Sequence, residues 1–102
     1  MEKWKPHYPL QDIQAQMVDV PSLRLTDSAR NSIFFELGWE LENAVRVVRD
    51  LRSKNFYKSM TTTRNHRVWQ DIYRATWRET AIYLKFQRHE DTYYFTVSFK
   101  DL

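Results

Sequence analysis

Residues 80–87, Thr80-Ala81-Ile82-Tyr83-Leu84-Lys85-Phe86-Gln87, and residues 93–100, Tyr93-Tyr94-Phe95-Thr96-Val97-Ser98-Phe99-Lys100, decide the fold. In both runs every second residue is apolar, the period of a strand with one face buried and the other solvated. Ile82, Leu84 and Phe86 share one face, with Tyr83, Lys85 and Gln87 opposite. Tyr93, Phe95, Val97 and Phe99 are likewise expected under a covering layer, with Tyr94, Thr96, Ser98 and Lys100 turned away from it. The uncovered face therefore presents Tyr83 and Lys100. Upstream, β-branched and aromatic residues predict two more strands at about residues 56–62 and 68–74. Alternation there is ambiguous, because Lys58 falls with Phe56 and Met60, and Gln70 with Val68 and Ile72. The short links Arg64-Asn65-His66 and His89-Glu90-Asp91 favour antiparallel hairpins, since a parallel crossover needs a dozen or more residues.

Before residue 55 the spacing is helical. Leu10, Ile13 and Met17 predict a first helix, closed by Pro21. Thr26 or Asp27 can cap a second, with Ala29, Ile33 and Leu37 as its stripe and Gly38 as its left-handed stop. A third carries Leu41, Ala44, Val45 and Val48 on one face. On another, Glu42, Arg46 and Asp50 are four apart, so that opposite charges meet. Helices first and strands after predict an α+β domain, with N-terminal helices packed on one face of a C-terminal, mainly antiparallel sheet.

A chain of 102 residues is the size of one domain, expected to bury about two-thirds of its unfolded surface. The absence of cysteine excludes disulfides, thiolate chemistry and the common structural zinc sites. His7, His66 and His89 each lack a second ligand at helical spacing, so no metal site is expected. One glycine cannot build a phosphate-cradling loop or a nucleophile elbow. Asp71, Glu79, Glu90 and Asp91 could supply two sugar-cleaving carboxylates, but nothing places a pair across a cleft. The longest apolar run, Ala81 to Leu84, is far short of the ~20 residues of a membrane span, and no secretory signal opens the chain, so the expected location is the cytoplasm. The net charge of +3 lies wholly after residue 54. Between residues 56 and 78, Lys58, Arg64, Arg67, Arg74 and Arg78 face only Asp71, interleaved with Phe56, Tyr57, Trp69, Tyr73 and Trp77. Cations among rings suit a polyanion with stackable bases, though solvated surface charge of this size is common in small domains.

The runs Asn55-Phe56-Tyr57-Lys58-Ser59-Met60-Thr61-Thr62 and Val68-Trp69-Gln70-Asp71-Ile72-Tyr73-Arg74 carry more than charge. With Ile82-Tyr83-Leu84-Lys85 and Val97-Ser98-Phe99-Lys100 they resemble the motility quorum-sensing regulator (MqsR) family of RelE-like toxins, which belong to type II toxin–antitoxin pairs. The likeness is most specific over about residues 55–100. It implies a single RelE-like domain over residues 1–102 and a metal- and ribosome-independent endoribonuclease that cuts single-stranded mRNA at short GC-containing sites. No cofactor is implied. The implied partner is a cognate antitoxin joining a zinc-binding domain to a helix-turn-helix DNA-binding domain. The family's proposed catalytic positions fall on Lys58, Gln70, Tyr83 and Lys100, and Tyr57 and Arg74 coincide with positions thought to matter; Tyr57, Arg74 and Arg67 are the expected substrate contacts. Where the family usually has proline after Tyr73-Arg74, this chain has Ala75, which predicts a differently shaped Ala75-Thr76-Trp77-Arg78 loop.

Cutting RNA without a metal requires that the 2′-hydroxyl lose a proton, that the phosphorane's charge be held, and that the 5′-oxygen gain a proton. At an ordinary pKa near 10.4 only about 0.04% of Lys58 is free amine at pH 7. It is therefore a base only if its pKa falls, through neighbouring cations such as Lys100 or Arg74 and desolvation beside Phe56 and Met60. Otherwise it is a cation that holds the phosphate. Tyr83 is suited to donate a proton, Gln70 to orient the ribose or phosphate, and Lys100 and Arg74 to clamp the phosphate. Two other readings stand beside this one. One is a non-catalytic RNA-binding module that stacks bases on exposed aromatics. The other is an interaction protein that offers an exposed strand edge to a partner.

Overall fold

The computed structural model describes residues 1–88 and 91–101, the last by its backbone alone. His89, Glu90 and Leu102 lie outside the described residues, and with them the isolation expected of His89 and most of the link at 89–91. Among the described residues the sheet has five strands, in the order β1 (Glu2–Lys3), β2 (Phe56–Thr61), β3 (Trp69–Trp77), β4 (Thr80–Arg88) and β5 (Phe95–Asp101). Every neighbouring pair is antiparallel. Three helical segments lie against one face: α1 (Leu10–Gln16), α2 (Asp27–Asn31), which widens into a π turn at Ser32–Leu37, and α3 (Leu41–Asp50). This is the α+β arrangement that the change of period predicts. No helix among the described residues is long and apolar enough to cross a membrane.

The covered face is the one that alternation selects. Ile82, Leu84, Phe86, Phe95, Val97 and Phe99 are all buried, and they join Ile13, Met17, Ala29, Ile33, Ala44 and Val48 from the helices. Thr26 caps α2 by accepting the Ala29 N–H at 3.1 Å, and Gly38 ends the π turn at φ 62°. Trp69, Tyr73 and Trp77 belong to this core side: Tyr73 is wholly buried, and the two tryptophans pack half-buried against the cluster. They are not a stacking surface for bases.

Side chains that compete for the backbone move several boundaries. Gln16 donates to the Tyr93 carbonyl at 3.0 Å and accepts the Phe95 N–H at 2.9 Å, so β5 starts at Phe95. Tyr93 is 76% exposed instead of lying under the helices. Pro21 does not close α1, which ends at Gln16. It sits in a 3₁₀ turn, Val20–Ser22, capped by Asp19, whose side chain accepts the Ser22 N–H at 3.0 Å. Gln14 donates to the carbonyls of Val48, Arg49 and Leu51, satisfying the C-terminal end of α3. The ladder expected from Glu42 through Arg46 to Asp50 does not form; Asp50 pairs with its neighbour Arg49 at 3.3 Å. The free edge of β5 is partly occupied: Leu25 bridges Val97, Thr26 N–H donates to the Val97 carbonyl at 3.1 Å, and Val97 N–H to the Arg24 carbonyl at 2.8 Å.

Residues 75–77 are strand, not loop. Ala75 pairs with Ile82, Thr76 with Ala81 and Trp77 with Thr80. Alanine at 75 leaves β3 free to run on where proline would withhold an N–H. The turn then falls on Arg78 and Glu79, both at positive φ (46° and 72°). A two-residue hairpin of this kind favours Asn-Gly, since a side chain in the left-handed region costs roughly 1–2 kcal/mol. Replacing Arg78-Glu79 with Asn-Gly should raise the unfolding free energy by about 1 kcal/mol, read as a higher urea midpoint at unchanged slope.

Candidate active site on the uncovered sheet face

A bulge makes the site possible. Phe56 pairs with Tyr73 and Lys58 with Ile72, leaving Tyr57 as the extra residue of β2. Strict alternation would put Phe56 and Lys58 on one face. The bulge instead sends Phe56 into the core, its ring 5.4 Å from that of Tyr73, and leaves Lys58 and Met60 on the uncovered face. The register then sets out three rows across that face. Arg74, Tyr83 and Lys100 form the first, with Tyr57 beside them. Lys58, Ile72, Lys85 and Ser98 form the second. Met60, Gln70, Gln87 and Thr96 form the third, extended by Glu2 on β1. Rows are about 7 Å apart and strands about 4.8 Å.

Lys58, Gln70, Tyr83 and Lys100 therefore share one face that no helix covers, and they surround Lys85. Three hollows run across it. One of about 290 Å³ is lined by Gln70, Tyr83, Lys85 and Lys100, with Thr26 and Ser28 at its rim. A second, of about 390 Å³, is lined by Tyr57, Lys58, Tyr83, Lys85 and Lys100 over Ile72. The third, of about 530 Å³, lies between Gln70, Lys85, Gln87 and the β2–β3 connection at Thr62–Asn65. Lys85 lines all three. Sequence reasoning left it out of the site, although alternation had already put it on the face of Tyr83. Ile72, 4% exposed, floors the middle of the face.

Most polar groups here are already engaged. Lys58 Nζ donates to Glu2 Oε1 at 2.6 Å. Gln70 Nε2 donates to Gln87 Oε1 at 2.8 Å. The Arg74 guanidinium lies 3.5 Å from the Tyr57 ring centroid and reaches the Tyr83 hydroxyl at 3.4 Å. Lys85 and Lys100 make no hydrogen bond or ion pair with any described residue. Arg67 stands apart, exposed in the β2–β3 connection and lining none of the hollows, whereas Arg64 lines the third.

Of the two roles open to Lys58, base or phosphate-holding cation, the electrostatics favour the second. A base at Lys58 requires a lowered pKa, but the hydrogen bond that Lys58 donates to Glu2 holds the ammonium above the ordinary lysine value, outweighing desolvation. Lys58 is a cation at neutral pH. Of the rings interleaved with the basic run, Tyr57 alone lies on this face.

The family described as motility quorum-sensing regulator, toxin of MqsA, matches residues 5–101. The chain belongs to it. An Escherichia coli (strain K12) relative of this MqsR family, named mRNA interferase toxin MqsR, is 37% identical over 101 residues, 99% of each chain. The match extends the family's likeness from the strand motifs through the helical half.

Proposed function

We propose that this face cleaves single-stranded mRNA by attack of a 2′-hydroxyl on the adjacent phosphate, without a metal and without a ribosome. Membership in the family makes the chain a toxin and an endoribonuclease of the mRNA interferase class. What supports the mechanism is one observation: Lys58, Gln70, Tyr83 and Lys100 converge around Lys85 on a sheet face that the helices leave open. Lys58, Lys85 and Lys100 hold the phosphate and its developing charge, worth more over the apolar floor of Ile72 than in water. Tyr83, steadied by Arg74, gives its phenolic proton to the departing 5′-oxygen. Gln70, fixed by Gln87, orients the ribose or a phosphate oxygen. Tyr57 and Arg74 contact the substrate at one end of the face and Arg67 beyond the other.

Cleavage at short GC-containing sites and neutralisation by an antitoxin with zinc-binding and helix-turn-helix domains rest on the family likeness, and a cytoplasmic location fits a toxin whose substrate is mRNA. A purely RNA-binding module is less well supported, because Trp69, Tyr73 and Trp77 lie on the core side. An edge-strand interaction protein is disfavoured by the Arg24–Thr26 segment on β5.

Purified protein with a defined GC-containing RNA in EDTA should give discrete fragments ending in 2′,3′-cyclic phosphate. RNA left intact across all GC-containing substrates would overturn the reading. Tyr83→Phe removes the proton donor while keeping the ring, and should slow single-turnover cleavage about 100-fold with RNA affinity nearly unchanged.

A further inference from the structure

The mechanism above has a proton donor and several cations but no proton acceptor. Lys58 is held protonated by Glu2, Tyr83 is the proton donor, Gln70 does not titrate, and Lys85 and Lys100 serve as the cations that hold the phosphate. His7 cannot serve, because it lies on the core side, its ring stacked 5.2 Å from that of Trp69. Asp71 also faces the core, fully buried. Glu2 is the one carboxylate borne by a strand on the uncovered face among the described residues, since its partner in the register is Met60. It is well held. Thr61 N–H donates to the Met1 carbonyl at 3.0 Å, the Met1 amino group donates to Thr61 Oγ1 at 3.0 Å, and Lys58 fixes the carboxylate itself at 2.6 Å.

We propose that Glu2 is the general base of the cleavage reaction, its carboxylate taking the 2′-hydroxyl proton beside the phosphate that Lys58 and Lys85 hold. The inference rests on the ribonuclease reading above. In-line displacement requires the base and the acid on opposite sides of phosphorus. Glu2 on β1 and Tyr83 on β4 flank Lys58 and Ile72, which lie on the two strands between them. The 2′-oxygen passes its proton to Glu2 and bonds to phosphorus. The P–O5′ bond breaks, and the 5′-oxygen takes the proton of Tyr83. The products are a 2′,3′-cyclic phosphate and a 5′-hydroxyl, and solvent resets both protonation states. Glu2 needs no unusual pKa for this role, because a carboxylate is ionised at pH 7.

The test is Glu2→Gln in the full chain under single-turnover conditions with saturating RNA. Cleavage should fall at least about 100-fold while RNA affinity is unchanged or tighter, since a negative charge beside the phosphate has been removed. Glu2→Asp should recover activity to within about tenfold of wild type. In the wild type the rate should fall on the acid side, with an inflection below the usual carboxylate range, and Glu2→Gln should lose that limb. The charged groups facing Glu2 are Lys58 on β2 and the N-terminal ammonium. Circular dichroism should show both variants folded, because the carboxylate is half-exposed and its backbone pairing is untouched. Cleavage by Glu2→Gln at or above the wild-type rate would overturn the proposal and make Glu2 a competitor for Lys58. If wild type itself leaves RNA intact, the ribonuclease reading falls and the Glu2 assignment with it.

Discussion

Lys85→Ala is expected to reduce single-turnover RNA cleavage by about 10²–10³-fold, the usual cost of removing one preorganised charge-stabilising donor. The expectation follows from what the other cations are doing. Lys58 is matched by Glu2, and Arg74 is committed to the faces of Tyr57 and Tyr83. Lys85 is half-buried, its side chain makes no hydrogen bond or ion pair with a described residue, and it stands where all three hollows meet. Its ammonium therefore reaches a phosphate without first breaking a bond, and the apolar Ile72 beside it limits screening by water. Lys85→Gln keeps most of the volume and should lose nearly as much, which separates charge from packing. Lys54→Ala, at the exposed turn before β2, should leave cleavage unchanged. Lys85→Ala should also make the dependence of log affinity on log salt shallower, by about 0.7 for one lost contact to a single strand. A rate within threefold of wild type would remove Lys85 from the centre of the site.

How much of this was legible depends on whether a residue's surroundings lay in its own stretch of chain. Ile82 to Phe86 and Phe95 to Phe99 could be assigned to faces because one side of each strand is dry, and burial enforces a period of two. That same alternation put Tyr83, Lys85 and Lys100 on the uncovered side. Lys58 and Gln70 were legible through the family motifs alone, because the extra residue at Tyr57 breaks the alternation that would have located Lys58. Errors gathered where a distant side chain claims backbone groups, as where Gln16 shortens β5. β1 has two residues and therefore no period to read, and Glu2 meets Lys58 across 56 positions of sequence. The charge count over residues 56–78 treated Asp71 as an offset to the surface cations, but the fold takes it into the interior.

Asp71→Ala is expected to destabilise the fold by about 3–5 kcal/mol, out of the 5–15 kcal/mol typical of a domain this size. Asp71 is wholly buried, and three donors converge on its carboxylate: Ser59 Oγ at 2.6 Å, Tyr8 N–H at 2.9 Å and His7 N–H at 3.1 Å. Alanine would leave the buried Ser59 hydroxyl and Tyr8 N–H without acceptors, each costing about 1–3 kcal/mol, and would also free the part-buried His7 N–H. Tyr8 also donates its hydroxyl to the Trp69 carbonyl at 3.0 Å, so three hydrogen bonds pin residues 7 and 8 to β3. Asp71→Asn keeps an oxygen for some of the donors but turns an NH₂ toward another, and should cost about 2 kcal/mol. Urea denaturation should show midpoints falling in the order wild type, Asn, Ala at a constant slope; a loss below 1 kcal/mol for Ala would mean that water replaces the carboxylate. The pinned segment also leads directly from β1. Loosening it frees the strand that carries Glu2, so Asp71→Asn should slow cleavage under conditions where the chain remains folded, though it touches no substrate. A folded Asp71→Asn protein with the full wild-type rate would show that β1 is held by its ladder with β2 alone.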